Sequence, residues 1–470
     1  MTSKLTQKTP YESEHQFAKS LQESFENLEE SQLKPPFPLT IPTHPQYIQL
    51  NQAILYAILT RPDSSKLHIK HLHAVITDGY AYFTSLLTTL VNELYTKLFD
   101  NVRVQVIWVL SELIDVSADG VDALLVSLFR QTRGGYDFSD GNLWLCLELV
   151  GVLLRKWGCL VEEFPGVVSN GLYVFLRLLG DHCCDKVLSF CSKVEVLKGR
   201  EIEFCVRVFR EEFGLCFSIG RDLVRVLQDL VHVDEFRDIW KDLLLQPEKF
   251  GMPGFTDISQ LYWLRTSSRY FLLRISPEME AQLRFLLTNV KIGSQTRYQT
   301  WFGKKFLNVL ENESVVIDIV RFICCAHHPS NKVILSNVMP RWAVIGWLLK
   351  CCTKNYIEAN VKLALFYDWL FFREEVDNIM NIEPAILLTI NSIPRYVDMT
   401  NNLLEFLLLL VDHYDIERKD LIVRGVSSAL DMLERKGVVQ SYDALTSCGM
   451  ISSLLKERLV KLLPSKNVSV

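Results

Sequence analysis

Residues 404–411, Leu404-Glu405-Phe406-Leu407-Leu408-Leu409-Leu410-Val411, carry the pattern that decides the fold. Leu404, Leu407, Leu408 and Val411 recur at i, i+3, i+4 and i+7, which places them on one face of an α-helix. The same spacing occurs in residues 106–113 and 223–230 and recurs over most of the chain. No sustained stretch alternates strictly between apolar and polar residues, so strands are not expected. The sequence therefore predicts an all-α protein.

Helix boundary signals divide the chain into about eighteen to twenty helices of roughly 10–18 residues each. Ser276, Pro277 and Glu278 supply a capping side chain, an N1 proline and an early acid, and predict a helix start. Three further prolines are expected at helix boundaries: Pro329, Pro340 and Pro384. Because one compact core stops growing at about 250–300 residues, a chain of 470 residues favours an irregular HEAT-like α-solenoid over a single bundle.

Changes in composition suggest a domain organisation. Residues 1–45 are polar and acidic, and they end in a Pro-rich linker. Gly and Pro residues in 246–256 suggest a boundary between two helical lobes, residues 46–250 and 251–463. Residues 464–470 are expected to form a short polar tail.

The overall composition argues against several classes of protein. The chain has 50 Lys and Arg against 55 Asp and Glu, a formal net charge of −5, which argues against nucleic-acid binding through charge alone. Apolar runs such as residues 343–349 and 407–411 are far shorter than the ~20 residues of a membrane helix. The polar residues 1–10 lack the apolar core of a signal peptide. The twelve cysteines are therefore expected to be reduced intracellular thiols.

The sequence contains no motif of a known catalytic or cofactor site. Phosphate-binding glycine loops, the Gly-x-Ser-x-Gly elbow and His-Glu-x-x-His are absent, so no catalytic residue, cofactor or enzyme activity is expected. Cys324 and His328 could meet as metal ligands at i, i+4, but we favour core cysteines followed by a C-terminal histidine. For His68, His71 and His73 we likewise favour a structural role over a metal site.

Residues 362–372, Lys-Leu-Ala-Leu-Phe-Tyr-Asp-Trp-Leu-Phe-Phe, would be apolar on both faces of a helix. Such a helix is either sandwiched between neighbours or half covered by a partner protein, and we favour the first. Burial of Asp368 would be unfavourable unless an Arg or a backbone donor meets it. Arg221 and Arg225 lie one helical turn apart, where pairing of Arg225 with Asp222 and Asp229 is favoured over a phosphate or acidic-partner site.

Residues 261–310 form a locally basic stretch with interleaved aromatic side chains. Its candidate surface residues are Arg265, Arg269, Arg297, Lys304 and Lys305. Cations beside aromatic rings suit phosphate contacts and base stacking, so an alternative function is direct binding of single-stranded nucleic acid. Core packing of most of the aromatic rings is nevertheless the favoured interpretation.

Five segments together resemble a known family. They are residues 220–228 (Gly-Arg-Asp-Leu-Val-Arg-Val-Leu-Gln), 328–331 (His-Pro-Ser-Asn), 340–349 (Pro-Arg-Trp-Ala-Val-Ile-Gly-Trp-Leu-Leu), 363–372 and 379–387 (Ile-Met-Asn-Ile-Glu-Pro-Ala-Ile-Leu). In this order they resemble the N-terminal helical-repeat domain of the Integrator complex subunit 3 family, whose members also belong to the SOSS complex. The resemblance runs over residues 50–463.

This resemblance implies a non-enzymatic scaffold in the nucleus, with the cytoplasm as a further location. It implies docking of an OB-fold single-stranded-DNA-binding protein and a small third SOSS-type subunit in the DNA damage response, so that nucleic acid is contacted indirectly. It also implies a part in Integrator small nuclear RNA processing and transcription control, although the family's contacts with other Integrator subunits lie largely in its C-terminal half. No membrane partner is implied.

For the docking surface we expect a region in which aromatic anchors and charges coincide. The residues that meet this description are Arg341, Trp342, Asp368, Trp369, Phe372 and Glu383. An adaptor of the HEAT type with an unrelated cargo is a third interpretation of the same helical repeats.

Overall fold

The structure is a computed structural model that describes residues 4–7, 15–28, 30–35, 37, 41–134, 138–183, 192–307 and 314–463. Within these ranges the chain forms 26 α-helices with short 3-10 and π segments and no β-strand. Thr6 pairs with Leu98, and Lys291 with Val338, as isolated bridges. The predicted all-α, solenoid-like fold class is therefore confirmed. The predicted tail, residues 464–470, and residues 1–3, 8–14, 29, 36 and 38–40 of the predicted N-terminal segment lie outside the described residues.

The chain divides into two compact units. Unit 1 comprises Met1–Thr132, Ser139–Val174 and Lys193–Phe204, and unit 2 comprises Arg133–Phe138, Phe175–Ser192 and Cys205–Val470. The Gly- and Pro-containing residues 246–256, expected to separate two lobes, lie within unit 2. Two rings of that segment pack against Phe213, with ring centroids 4.2 Å away for Phe250 and 4.8 Å for Phe255. These contacts tie the segment to a core.

Unit 1 is built around one buried helix. Its helices are α1 Gln16–Glu26, α2 His44–Thr60, α3 Ser65–Val75, α4 Ala81–Leu94, α5 Asp100–Asp115, α6 Val121–Phe129, α7 Asp140–Arg155 and α8 Trp157–Glu163. Helix α2 packs against α1, α3, α4 and α5. It begins with a capping box in which Thr43 and Gln46 satisfy each other's backbone N–H groups. Two longer helices, α9 Pro165–His182 and α10 Ser192–Glu211, contain residues of both units.

The remaining helices belong to unit 2. They are α11 Phe213–Phe217, α12 Asp222–Gln228, α13 Asp234–Leu245, α14 Ser259–Tyr262, α15 Ser268–Leu273, α16 Pro277–Asn289, α17 Gln295–Phe302, α18 Val315–Cys325, α19 Asn331–Ile334, α20 Arg341–Cys351, α21 Asn355–Leu370, α22 Ile379–Ser392, α23 Val397–His413, α24 Lys419–Arg435, α25 Asp443–Thr446 and α26 Ser453–Val460. Several of these span only one or two turns, which is why the helices outnumber the expected eighteen to twenty. Helix α21 packs against α18, α22, α23 and α24 and lies at the centre of the unit.

Most of the predicted helix boundaries agree with the structure. The hydroxyl of Ser276 accepts a hydrogen bond from the Met279 N–H at 3.2 Å, and Pro277 is the first residue of α16. Pro340 is the N-cap of α20. Pro384, however, lies inside α22, so the prediction that it marks a boundary is wrong. Because its fixed φ is helical, the helix continues at the loss of one backbone hydrogen bond.

No helix in the described part of the chain combines the length and the apolar character needed to span a membrane.

Candidate functional site

Helix α21 is enclosed by its neighbours, as its apolar character on both faces predicted. Trp369 is 1% exposed, and its Nε1 donates a hydrogen bond to the Ile382 carbonyl at 3.2 Å. The Tyr367 hydroxyl donates to the Arg221 carbonyl at 2.8 Å. Phe371 and Phe372, which follow the helix, are also buried. The sandwiched interpretation of residues 362–372 is therefore confirmed.

Asp368 lies in this core and is met by two guanidinium groups, as its burial required. Its Oδ2 lies 2.9 Å from Arg321 Nη1, and its Oδ1 lies 3.6 Å from Arg221 Nη1. The Cys325 thiol donates to the same carboxylate at 3.2 Å. Burial alone would raise the pKa of Asp368, but Arg321 and Arg221 outweigh burial and hold the pKa below its usual range.

The ion pairs continue from Asp368 into neighbouring elements. The fully buried Arg221 also donates to both carboxylate oxygens of Asp377, at 2.9 and 3.1 Å. Arg321 Nη2 lies 3.1 Å from Asp222 Oδ1. Asp222 in turn accepts two hydrogen bonds of 2.8 Å from Arg225, which confirms the pairing expected within α12. We call Arg221, Asp222, Arg225, Arg321, Asp368 and Asp377 the core charge network.

A glycine precedes helix α12 for a steric reason. Gly220 has a φ of +79°, and a Cβ at this position would lie 2.7 Å from the Leu264 carbonyl oxygen. The same carbonyl accepts a hydrogen bond from the Arg221 N–H at 2.8 Å. Glycine therefore allows the close backbone approach that places Arg221 in the network.

A second group of buried charges surrounds Asp318 of α18. Its Oδ1 lies 3.2 Å from Arg177 Nε, and its Oδ2 lies 3.9 Å from Arg274 Nε. Arg177 also pairs with Asp181 at 3.3 Å. Asp318 and Arg321 are not among the residues that the sequence reasoning predicts. The sequence nevertheless contains a signal for them. Two opposite charges one turn apart interrupt an otherwise apolar helix, and buried charges are paired.

Beside Phe371 and Phe372 lies an open groove with a volume of about 560 Å³, which we call the docking groove. Its lining includes Trp263, which is 45% exposed, and the largely buried Phe371 and Phe372. Its charged residues are Arg373, Glu374, Glu375 and Arg424. An exposed Trp beside charged residues is a composition found at protein interfaces.

The floor of the docking groove depends on a glycine in α24. A Cβ at Gly425 would lie 2.3 Å from the Leu370 carbonyl oxygen and 3.1 Å from the Phe371 nitrogen. Glycine therefore lets α24 approach the end of α21 at backbone distance. Helices α21 and α24, together with the segment after α21, position the groove residues.

Most of the residues expected to form the docking surface are in the interior. Arg341, Asp368, Trp369 and Phe372 are buried, whereas Trp342 and Glu383 are partly exposed. Arg341 forms an ion pair with Glu383 and donates to the Ile323 carbonyl at 3.1 Å. Asp368, Trp369 and Arg341 thus hold helices together, and of the six residues Phe372 lines the docking groove. The aromatic and charged side chains that suggested a docking surface serve mainly to pack and pair within the core.

The structure divides the basic stretch 261–310 into separate parts. Arg265 and Arg269 are exposed, and Arg269 donates to the Tyr270 hydroxyl at 2.9 Å. Arg297 and Lys304 are exposed on the turn formed by α16, α17 and the π-helical Gly303–Leu307. Lys305 lies in the same turn and pairs with Glu278. Three of the aromatic side chains, Tyr262, Tyr270 and Phe302, are core residues, whereas Tyr298 and Trp301 reach the surface.

The two histidine-containing clusters have packing roles in the structure. Cys324 is buried, which raises the pKa of its thiol to about 12, and the His328 ring hydrogen-bonds to Asn381 at 3.0 Å. His68 and His71 are buried in unit 1, while the His73 ring contacts the Tyr80 hydroxyl at 2.8 Å. Among the described residues, no group of three or more His, Cys, Asp or Glu side chains is placed to hold a metal ion.

The chain is similar in sequence to known proteins of one family. Residues 45–461 match the family described as Integrator complex subunit 3 N-terminal. Integrator complex subunit 3 of Danio rerio is 37% identical over 419 residues, covering 88% of this chain and 40% of the relative. The Homo sapiens protein of the same name is 36% identical over 397 residues, covering 84% and 37%. The homolog from Dictyostelium discoideum is 40% identical over 408 residues, covering 84% and 26%. The chain therefore spans less than half of the length of these relatives.

Proposed function

This chain belongs to the Integrator complex subunit 3 family, and we propose that it is a non-enzymatic nuclear scaffold that assembles with other Integrator subunits. Under this proposal it takes part in small nuclear RNA processing and transcription control through its partners. The observation that carries the proposal is the match over residues 45–461, which includes almost the whole of both helical units.

The more specific part of the proposal concerns the docking groove. We propose that unit 2 binds an OB-fold single-stranded-DNA-binding protein and a small third subunit there, as part of a SOSS-type assembly in the DNA damage response. Hot spots of interfaces are enriched in Trp and Arg, and the groove presents Trp263 and Arg424 at its surface. Glu374 and Glu375 offer charges of the opposite sign, so the rim can select a partner by charge.

The first test measures binding of the full chain to purified OB-fold protein and small subunit, using Trp263→Ala and Arg424→Glu. If these residues are anchors of the interface, each change weakens binding by roughly 30-fold or more, as expected for a hot spot. Trp301→Ala and Lys241→Glu are matched controls, because they alter an exposed Trp and an exposed cation outside the groove. Unchanged affinity of both groove variants, with unchanged thermal midpoints, would refute docking at this groove.

A second test addresses the class of scaffold. Affinity purification of the chain from nuclear extract, followed by mass spectrometry, should recover Integrator subunits. Recovery of nuclear transport receptors instead would support the unrelated HEAT-type adaptor. Because the chain spans less than half of its relatives, the same purification with a full-length relative shows which partners require the remaining sequence.

A further inference from the structure

Helices α16 and α17 present three aromatic rings in a row at the surface of unit 2. The ring centroids of Phe285 and Tyr298 are 5.5 Å apart, and those of Tyr298 and Trp301 are 5.4 Å apart. Phe285 is 48% exposed and Trp301 is 41% exposed. The Tyr298 hydroxyl donates to the Gln282 carbonyl at 2.8 Å, which holds the middle ring in place. Rings that serve only the core would not be left this exposed side by side.

The surface around these rings is strongly basic. Residues 281–307 contain no Asp or Glu. Their cations are Arg284, Lys291, Arg297, Lys304 and Lys305. Arg284 and Lys305 are paired with the preceding Glu280 and Glu278. The other three are exposed, and no carboxylate of the described residues lies within 4.0 Å of them. This local excess of positive charge contrasts with the net charge of −5 for the whole chain.

Two of the rings, Tyr298 and Trp301, and two of the cations, Lys291 and Arg297, border the same depression. An open cleft of about 610 Å³ is lined by Lys291, Arg297, Tyr298 and Trp301, together with small polar residues. A nucleotide needs a flat apolar surface for its base and a cation for its phosphate, and the cleft offers both. Bases of a duplex are already stacked and cannot use exposed rings, whereas bases of a single strand can.

We propose that this aromatic–basic patch, formed by Phe285, Tyr298, Trp301, Lys291, Arg297 and Lys304, binds single-stranded nucleic acid directly. The bases stack on the exposed rings, and the three cations contact the backbone phosphates. Stacking and phosphate contacts tolerate any base, so binding has little sequence preference. The patch shares no residue with the docking groove, so this inference does not depend on the proposed protein partners.

The test is fluorescence anisotropy of the full chain with a labelled 20-nucleotide oligo-dT, without any partner protein. Three phosphate contacts predict a slope of about −2 for log affinity against log salt, which is roughly a 20-fold loss from about 50 to 200 mM salt. Unlabelled single strand should compete better than a duplex of the same length. Poly-glutamate peptide serves as the acidic-protein competitor.

Three variants examine the patch itself. Trp301→Ala should weaken binding by at least about fivefold, the lower limit for losing one stacked base. Lys304→Glu and Arg297→Gln should weaken binding and reduce the salt slope by about one unit or less each. Tyr356→Ala and Lys241→Glu, at an exposed ring and an exposed cation elsewhere, should leave affinity unchanged. Thermal midpoints equal to that of the unsubstituted chain show that each variant is folded.

Several results would overturn the proposal. Absence of binding at low salt would do so, and so would preference for the duplex. Equal losses in the patch variants and in their controls would show that binding is not local to the patch. Competition by poly-glutamate as strong as that by the oligonucleotide would assign the surface to an acidic protein instead.

Discussion

Replacing Asp368 by Asn should destabilise unit 2 strongly, because the change removes the central carboxylate of the core charge network. Asp368 is 3% exposed, and its oxygens face Arg321 at 2.9 Å and Arg221 at 3.6 Å. Asn has almost the same volume, so the substitution leaves no cavity. The change therefore isolates the loss of one buried charge from the loss of packing.

The size of the effect depends on which carboxylates the two guanidinium groups still contact after the substitution. Removing one partner of a buried ion pair costs about 3–5 kcal/mol, because the remaining charge stays buried without compensation. Here Arg321 retains Asp222 at 3.1 Å, and Arg221 retains Asp377 at 2.9 Å. The expected loss in unfolding free energy is therefore near the lower end, about 3 kcal/mol.

The assay is urea unfolding followed by tryptophan fluorescence, for which the buried Trp369 is a reporter in the same helix. Glu374→Gln is the matched control, because it removes the charge from an exposed pair with Arg435 and should leave the unfolding midpoint unchanged. Combining Asp368→Leu with Arg321→Met should restore much of the loss. An apolar pair of similar volume avoids burying an unpaired charge.

The stabilisation by Asp368 should also depend on pH in a defined direction. Since the pKa of Asp368 in the folded chain is below its usual value of about 4, its stabilisation is fully present above about pH 4 and is lost in stronger acid. The difference between native and Asp368→Asn should thus be constant from about pH 5 to 8. A loss below about 1 kcal/mol would refute the network as a stabilising unit. If partner binding disappeared while stability was unchanged, Asp368 would be a contact residue after all.

Two further predictions concern packing and pH. Gly425→Ala should lower the unfolding free energy by about 2 kcal/mol or more, because its Cβ would lie 2.3 Å from the Leu370 carbonyl oxygen. In contrast, Gly199→Ala in α10 has no neighbour within 4 Å and should be neutral or slightly stabilising by about 0.5–1 kcal/mol in the same urea titration. Burial lowers the pKa of His68 to about 4, so the unfolded chain binds the proton first and stability falls as the pH drops from about 6.5 to 4. His68→Leu should flatten that part of the stability–pH curve, and an unchanged slope would contradict the buried neutral state.

The spacing of apolar residues predicted much of the fold, because the apolar face of a helix shows which of its sides is buried. The stripe Leu404, Leu407, Leu408 and Val411 is buried as its period of 3.6 required. The requirement that a buried Asp368 meet an Arg was also correct, since it follows from the cost of burying a charge. The partner could not be named, because Arg221 and Arg321 lie far from Asp368 along the chain and only tertiary packing brings them together.

The candidate surface was less predictable for a related reason. A helix apolar on both faces has the same sequence whether a neighbouring helix or a partner protein covers it. Trp369 and Asp368, which were predicted to belong to a docking surface, therefore turn out to lie in the core. Trp263, whose exposed ring lines the docking groove, carried no distinguishing pattern in the sequence. It directly follows Tyr262, whose ring stacks on Phe371 with centroids 4.2 Å apart, a tertiary contact that spacing along a helix does not encode.

The core charge network and the docking groove are linked through one short segment. Asp377 accepts hydrogen bonds from Arg221 at 2.9 Å and from the Arg373 N–H at 2.9 Å. Arg373 and the adjacent Phe372 line the groove. A fully buried guanidinium thus holds the loop that forms one groove wall, across 156 residues of sequence. Buried ion pairs add little net stability compared with apolar packing, but they penalise any other arrangement of the same helices. Under the proposed docking, the network would therefore hold this groove wall in place before a partner arrives, which lowers the entropic cost of association.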